Sequence, residues 1–154
     1  MIRRKQLEYS FDERGLKLAI EWVAAKFTNQ MEFLNKLLKY REDKGEPIIE
    51  AVKKLTEIKD KIINLSGTID EKRNTLMGLE GSAARMYFDV ICNMIPEKYK
   101  FDGRSKMPAK DPFNAMLNYG YGILYSMVEK ACIIAGLDPY IGFIHCDNYN
   151  KKSL

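Results

Sequence analysis

Apolar side chains recur every three or four residues along most of this chain, and a period near 3.6 predicts amphipathic helices. The longest run comprises Leu16, Ile20, Val23, Phe27, Met31, Leu34 and Leu38. A second run follows a break at Gly45-Glu46-Pro47 and comprises Ile48, Val52, Leu55, Ile58, Ile62 and Leu65. Proline suits the first turn of a helix, because the N–H that it lacks has no helical partner in that turn. The two runs therefore predict a pair of long helices that bury one face each.

Capping signals indicate two further helices. Thr68-Ile69-Asp70-Glu71 has the form of a capping box, in which the threonine and the glutamate each accept a bond from the other's backbone N–H. It predicts a third helix over 70–94, which Pro96 closes. Asp111-Pro112 predicts the start of a fourth helix, and Gly136 predicts its end.

These signals together predict an all-α protein, a bundle of about four to six helices. With 154 residues, the chain has the length of one domain. We expect a single helical domain over 1–154, composed of a lead-in at 1–15, three long helices within 16–95, a basic loop at 96–110, and a helix plus a histidine-bearing segment at 111–154.

Simple features of the sequence argue against a secreted protein, a membrane-spanning protein and a protein held together by disulfides or zinc. No apolar run follows the basic start at residues 1–5, so we expect no signal peptide. The most apolar stretch, residues 117–137, is interrupted by Glu129 and Lys130, which argues against a membrane span. The three cysteines are odd in number and widely spaced, so we expect no disulfide framework or zinc site, and a cytoplasmic location.

Two residues are candidates for chemistry. Glu80 lies at the edge of the apolar face of the third predicted helix, where a carboxylate needs a cationic partner or a metal ion. A structural alternative pairs it with Lys72, Arg73 or Arg85. His145 is the single histidine and could join carboxylates around Mg²⁺ or Mn²⁺. Its alternative is a histidine that is hydrogen-bonded at the end of an apolar segment.

The predicted loop is rich in cations. Residues 98–110 contain five basic side chains, Lys98, Lys100, Arg104, Lys106 and Lys110, against the single acid Asp102. They suit contacts with phosphates, with Tyr99 and Phe101 as candidate groups for base stacking. A flexible solvated loop is the alternative. The tyrosines at 119, 121 and 125 are interpreted as packing residues.

Three segments, taken in order, carry a resemblance to a known family. They are EGSAARMYF at 80–88, DPFNAMLNYGY at 111–121 and GLDPYIGFIH at 136–145. With this spacing the chain resembles the CRISPR-associated integrase and endonuclease that inserts new spacers, the first-numbered CRISPR-associated protein. Phe101, Arg104 and Pro108 resemble the family's F-x-x-R…P loop, although Ala109 departs from its usual second proline. The Arg4 and Gln6 start is also similar to the beginning of the family's helical domain.

The resemblance implies a function and a set of site residues. It implies a metal-dependent enzyme in which a DNA 3′-hydroxyl attacks a phosphodiester, with Glu80 and His145 as catalytic metal ligands for Mg²⁺ or Mn²⁺. The family's third ligand is an acid about a dozen residues after the histidine, beyond Ser153-Leu154, and Asp147 lies too close to His145 to match it. The resemblance implies DNA contacts from the side chains of Arg85, Arg104, Lys106 and Lys110. It implies that Asn114 and Tyr121 either contact the DNA backbone or act indirectly as positioning groups.

The resemblance also implies partners. They are DNA, as protospacer and CRISPR repeat, a second copy in the full-length family, and the small second CRISPR adaptation protein, with no membrane. The chain would correspond to most of the family's C-terminal helical domain, without its N-terminal β-sandwich or its third ligand. A non-catalytic DNA-binding helical module is the alternative function, because that ligand is missing.

Overall fold

A computed structural model describes residues 2–40, 45–145 and 153, and within them the chain is entirely helical and irregular, with no strand. It contains α1 (Ile2–Tyr9), α2 (Glu13–Leu38), α3 (Gly45–Ile63), α4 (Ile69–Met94) and α5 (Pro112–Ile134). A short 3₁₀ turn, Glu97–Tyr99, begins the connection between α4 and α5. The prediction of an all-α bundle of four to six helices is confirmed.

The core lies where α2, α3 and α4 pack against one another. Side chains from all three helices are fully buried there, among them Phe27, Leu34, Leu55, Ile62 and Leu76. All of these except Leu76 belong to the two apolar runs that the periodicity identifies. Each contributes about 1.5–3 kcal/mol from the removal of apolar surface from water.

The predicted helix ends are confirmed. The Thr68 hydroxyl accepts from the Glu71 N–H, and the Glu71 carboxylate accepts from the Thr68 N–H, which completes the capping box. Asp111 caps α5 by accepting from the Asn114 N–H at 2.7 Å. Gly136 follows α5 with φ at +76°, a left-handed conformation that glycine adopts without a Cβ penalty.

The predicted lead-in, residues 1–15, contains a helix that the periodicity does not reveal. In α1 the single buried side chain is Gln6, so the segment has no apolar stripe of the usual kind. α1 nevertheless lies close against the start of α2, where a Cβ at Gly15 would stand 2.1 Å from the Tyr9 carbonyl oxygen. Tertiary contacts therefore hold α1, and local sequence signals for it are weak.

α5 differs from the other long helices because most of its apolar side chains face outward. Met116, Tyr119, Ile123, Tyr125 and Ile134 are all exposed. The interpretation of the tyrosines at 119 and 125 as packing residues is wrong for the described structure, since both side chains are more than 60% exposed. None of the helices among the described residues combines the length and the apolar character needed to cross a membrane.

Candidate functional site

Glu80 and His145 line the same cavity. It has a volume of about 190 Å³ and lies between α2, α4 and the segment that follows α5. Its walls are formed by Trp22, Val23, Lys26, Leu76, Met77, Glu80, Ile144 and His145. The structure therefore brings together the two side chains proposed as ligands, although they lie on separate segments of the chain.

The Glu80 carboxylate is paired with a lysine that sequence reasoning did not identify. Lys26 of α2 donates to Glu80 Oε1, and the two side chains are 38% and 34% exposed. The candidates Lys72, Arg73 and Arg85 all lie near Glu80 in the sequence, whereas Lys26 is 54 residues away. Arg73 instead pairs with Asp70 at 2.6 Å.

The segment that carries His145 is held in place by two anchors. The Phe143 ring is buried and meets the Trp22 ring edge-on, with centroids 5.4 Å apart. Gln6 of α1 donates to the Asp138 and Ile141 carbonyls at 2.8 and 2.9 Å, and its Oε1 accepts from the Asp138 N–H. Gln6 is thus a positioning residue for the cavity, and the family resemblance at Arg4 and Gln6 was the only sequence signal that pointed to it.

The donors at the cavity suit a hard divalent cation. A carboxylate oxygen and an imidazole nitrogen are ligands that Mg²⁺ and Mn²⁺ accept. No cluster of three or more such donors occurs within residues 2–40, 45–145 and 153. Asp147 lies outside the described residues.

Asn114 organises the basic loop from within. Its side chain is fully buried, and its Oδ1 accepts from the Ser105 N–H at 3.1 Å and from Arg104 at 3.0 Å. Its Nδ2 donates to the Gly103 carbonyl at 2.9 Å and to Asp111 at 2.7 Å. The resemblance predicts Asn114 as a DNA contact or as an indirect positioning group. Because its side-chain amide is buried and hydrogen-bonded to the loop and to Asp111, its described position fits the positioning role and does not fit a direct DNA contact.

Three of the cationic candidates lie in this loop and the fourth, Arg85, lies on α4. Arg85, Arg104, Lys106 and Lys110 are exposed. The Arg104 guanidinium carbon lies 5.6 Å from the centroid of the Tyr121 ring, which holds the arginine over α5. Burial raises the pKa of the Tyr87 phenol on α4, and the charge of Tyr121 raises it further by a smaller amount.

The two aromatic residues proposed for base stacking occupy different environments. Phe101 stacks on Phe113 with centroids 4.2 Å apart and also meets Phe88 edge-on. Its ring is therefore part of the aromatic cluster that joins the loop to α4 and α5, and it does not lie free for a base. Tyr99 is partly exposed, with the Lys98 ammonium over its ring.

The family model described as "CRISPR associated protein Cas1" matches residues 1–154. The chain belongs to the Cas1 family. It is 44% identical over 163 aligned residues to the CRISPR-associated endonuclease Cas1 1 of Archaeoglobus fulgidus, covering 99% of this chain and 47% of that protein. It is also 32% identical to the CRISPR-associated protein Cas1 3 of Methanobrevibacter ruminantium, covering 99% of this chain and 46% of the relative.

Solved Cas1 structures share this fold. A Cas1 protein from Thermotoga maritima superimposes with a TM-score of 0.75 at 28% identity, over 98% of this chain and 44% of that one. A chain of a Cas6-RT-Cas1–Cas2 complex gives a TM-score of 0.81 at 29% identity, over 98% of this chain and 16% of that one. The chain thus spans just under half the length of the Cas1 relatives described above.

Proposed function

We propose that this chain carries part of the active site of a metal-dependent DNA endonuclease and integrase that inserts new spacers into a CRISPR array. The supporting observation is the shared cavity of Glu80 and His145, in a chain whose relatives are named CRISPR-associated endonucleases. Mg²⁺ or Mn²⁺, when bound, lowers the pKa of an attacking hydroxyl and stabilises charge on phosphate oxygens. Glu80 and His145 would hold that ion as two of its ligands.

The protein's own groups then bind and orient the DNA. Glu80 and Tyr87 are seven residues apart on α4, so they lie on nearly the same face, about 10 Å apart along the axis at 1.5 Å per residue. Tyr121 acts electrostatically on the Tyr87 phenol, and its ring lies under the Arg104 guanidinium. This arrangement supports a path for a DNA strand from the basic loop to the cavity, with Arg104, Lys106, Lys110 and Arg85 on its phosphates.

The reaction needs no covalent protein intermediate, because the attacking group is a DNA 3′-hydroxyl. The partners that we propose are protospacer and CRISPR-repeat DNA, a second copy of the full-length protein, and the small second adaptation protein. The last of these is supported by the similar structures of Cas6-RT-Cas1–Cas2 complexes, which contain Cas2.

Cleavage of a branched DNA by the parent-length protein, in the presence of Mg²⁺ or Mn²⁺, tests the site. We expect Glu80→Ala and His145→Ala each to reduce cleavage by at least about 100-fold, since loss of even an outer partner of a metal ligand costs 10–100-fold. Glu57→Ala, which removes an exposed carboxylate on α3, is the matched control and should retain activity. Cleavage that survives in both site variants would refute the assignment.

A non-catalytic DNA-binding module is the second candidate function. It is favoured by the ammonium on Glu80 and by the absence of a three-donor cluster in the part of the chain that the structure describes. Salt-dependent binding of branched DNA without cleavage, unchanged by Glu80→Ala, would support this alternative over the first.

A further inference from the structure

The Lys26–Glu80 pair differs from five other ion pairs of the structure, which join Arg14 to Asp12, Lys17 to Glu13, Lys54 to Glu50, Arg73 to Asp70 and Lys100 to Glu97. Those others join side chains two to four positions apart in the sequence, whereas Lys26 and Glu80 come from two helices and are 54 residues apart. Both side chains are more than a third exposed, so the pair is expected to add little to folding stability. Its position at the cavity with His145 calls for a different account.

The Lys26 ammonium contacts Oε1 of Glu80, so a divalent cation that binds this carboxylate meets a positive charge already placed beside it. A lysine side chain is a flexible four-carbon stem with a compact charge, and Lys26 is exposed enough to swing aside. Where the ammonium stays close, it repels a divalent ion. Where it moves away, the carboxylate becomes free.

Resting on the proposed metal site, we infer that Lys26 is a built-in competitor for the divalent cation at Glu80. The ammonium neutralises the carboxylate while the metal is absent, and its positive charge opposes the binding of a divalent ion to the same group. Lys26 therefore sets the metal concentration at which the site fills. It acts on the reaction through Glu80, as a positioning residue.

Titration of the 154-residue chain with Mn²⁺ tests this, with free Mn²⁺ followed by its electron paramagnetic resonance signal. Lys26→Met should tighten Mn²⁺ binding about three- to tenfold, because a partly exposed charge couples weakly to a neighbour and the doubled charge of the ion about doubles the effect. Lys26→Gln should behave similarly and guards against a folding defect in the methionine variant. Lys26→Arg, which keeps the charge, should not tighten binding.

Two controls separate the possible failures. Lys61→Met makes the same change of charge on α3, where the side chain is exposed, and should leave Mn²⁺ affinity unchanged. Glu80→Gln should weaken Mn²⁺ binding in both the wild-type and the Lys26→Met backgrounds. If Glu80→Gln weakens binding but neither Lys26→Met nor Lys26→Gln tightens it, the competitor role is overturned and the metal site stands. If Glu80→Gln has no effect, both are overturned.

Discussion

Replacing Asn114, which lies in the first turn of α5, by alanine should loosen the basic loop. The change removes an amide that is fully buried and that makes four side-chain hydrogen bonds, to Gly103, Arg104, Ser105 and Asp111. Their lengths lie between 2.7 and 3.1 Å, so all four have good geometry. Residues 100–110 have no regular secondary structure to replace them.

The size of the effect follows from the number of bonds. A net contribution of 0.5–1.5 kcal/mol each gives a range of about 2–6 kcal/mol for four bonds. Because a surface loop can open and let water satisfy the abandoned partners, we expect a loss of about 2–4 kcal/mol in the free energy of unfolding. Asn114→Asp keeps the shape but places a carboxylate beside Asp111, so it should also destabilise the protein.

Urea denaturation measures the loss, and hydrogen exchange locates it. We expect faster exchange of loop amides, above all of the Ser105 N–H, with little change in α2 and α3. Asn118→Ala is the matched control, because its amide donates only to the Ser105 and Lys106 carbonyls at 3.3 and 2.8 Å. If Asn114→Ala costs no more than Asn118→Ala and leaves the exchange of Ser105 unaltered, the organising role of Asn114 is refuted.

Other changes test the core, the helix contacts, the caps and the basic surface. Phe27→Ala should cost about 3–5 kcal/mol in urea denaturation, because the ring is fully buried; a cost below 1 kcal/mol would contradict its place in the core. Gly15→Ala should lower the melting temperature, because the added Cβ would meet the α1 backbone. Gly78→Ala has open space around it and should raise the free energy of unfolding by about 0.5–1 kcal/mol. Equal effects of the two changes would contradict the close approach of Gly15 to α1. Hydrogen bonds from Thr68 lower the pKa of Glu71, so their contribution to folding stability is complete above the ordinary glutamate pKa and is lost as the pH falls through the lowered value. The melting temperatures of Glu71→Gln and of the wild type should therefore converge in that acid range. A difference that stays constant with pH would refute the capping role. Binding of duplex DNA should weaken about 100-fold between 50 and 200 mM salt if four cations contact phosphates; a flat salt dependence would exclude those contacts.

The parts of the fold that were predictable are those with strong local signals. The capping box at Thr68, the Asp111-Pro112 start and the stop at Gly136 each act within one helical turn, so their residues are adjacent in the sequence. The runs that include Leu16 and Ile48 show their period over several turns. Each of these features can be recognised without knowledge of the tertiary structure.

The parts that escaped prediction depend on contacts between distant segments. Gln6 stabilises α1 by binding residues 138–141, and Lys26 reaches Glu80 from another helix. No local pattern encodes either contact. The exposure of α5 could not be predicted because its apolar side chains suggest burial, and only the packing shows which of them have neighbours.

The roles of the candidate residues came from the family resemblance and stay predictions. From periodicity alone Glu80 was an edge carboxylate and His145 a histidine at the end of an apolar segment. The structure adds that they line one cavity and that Lys26 already occupies the carboxylate.

A crystal of the chain soaked in Mn²⁺ tests the central claim most directly, through the anomalous scattering of the metal. The account predicts a peak bonded to both the Glu80 carboxylate and the His145 imidazole, with the Lys26 ammonium moved off the carboxylate. A peak bound elsewhere, or an Lys26–Glu80 pair that persists at saturating Mn²⁺ with no metal at the cavity, would contradict it.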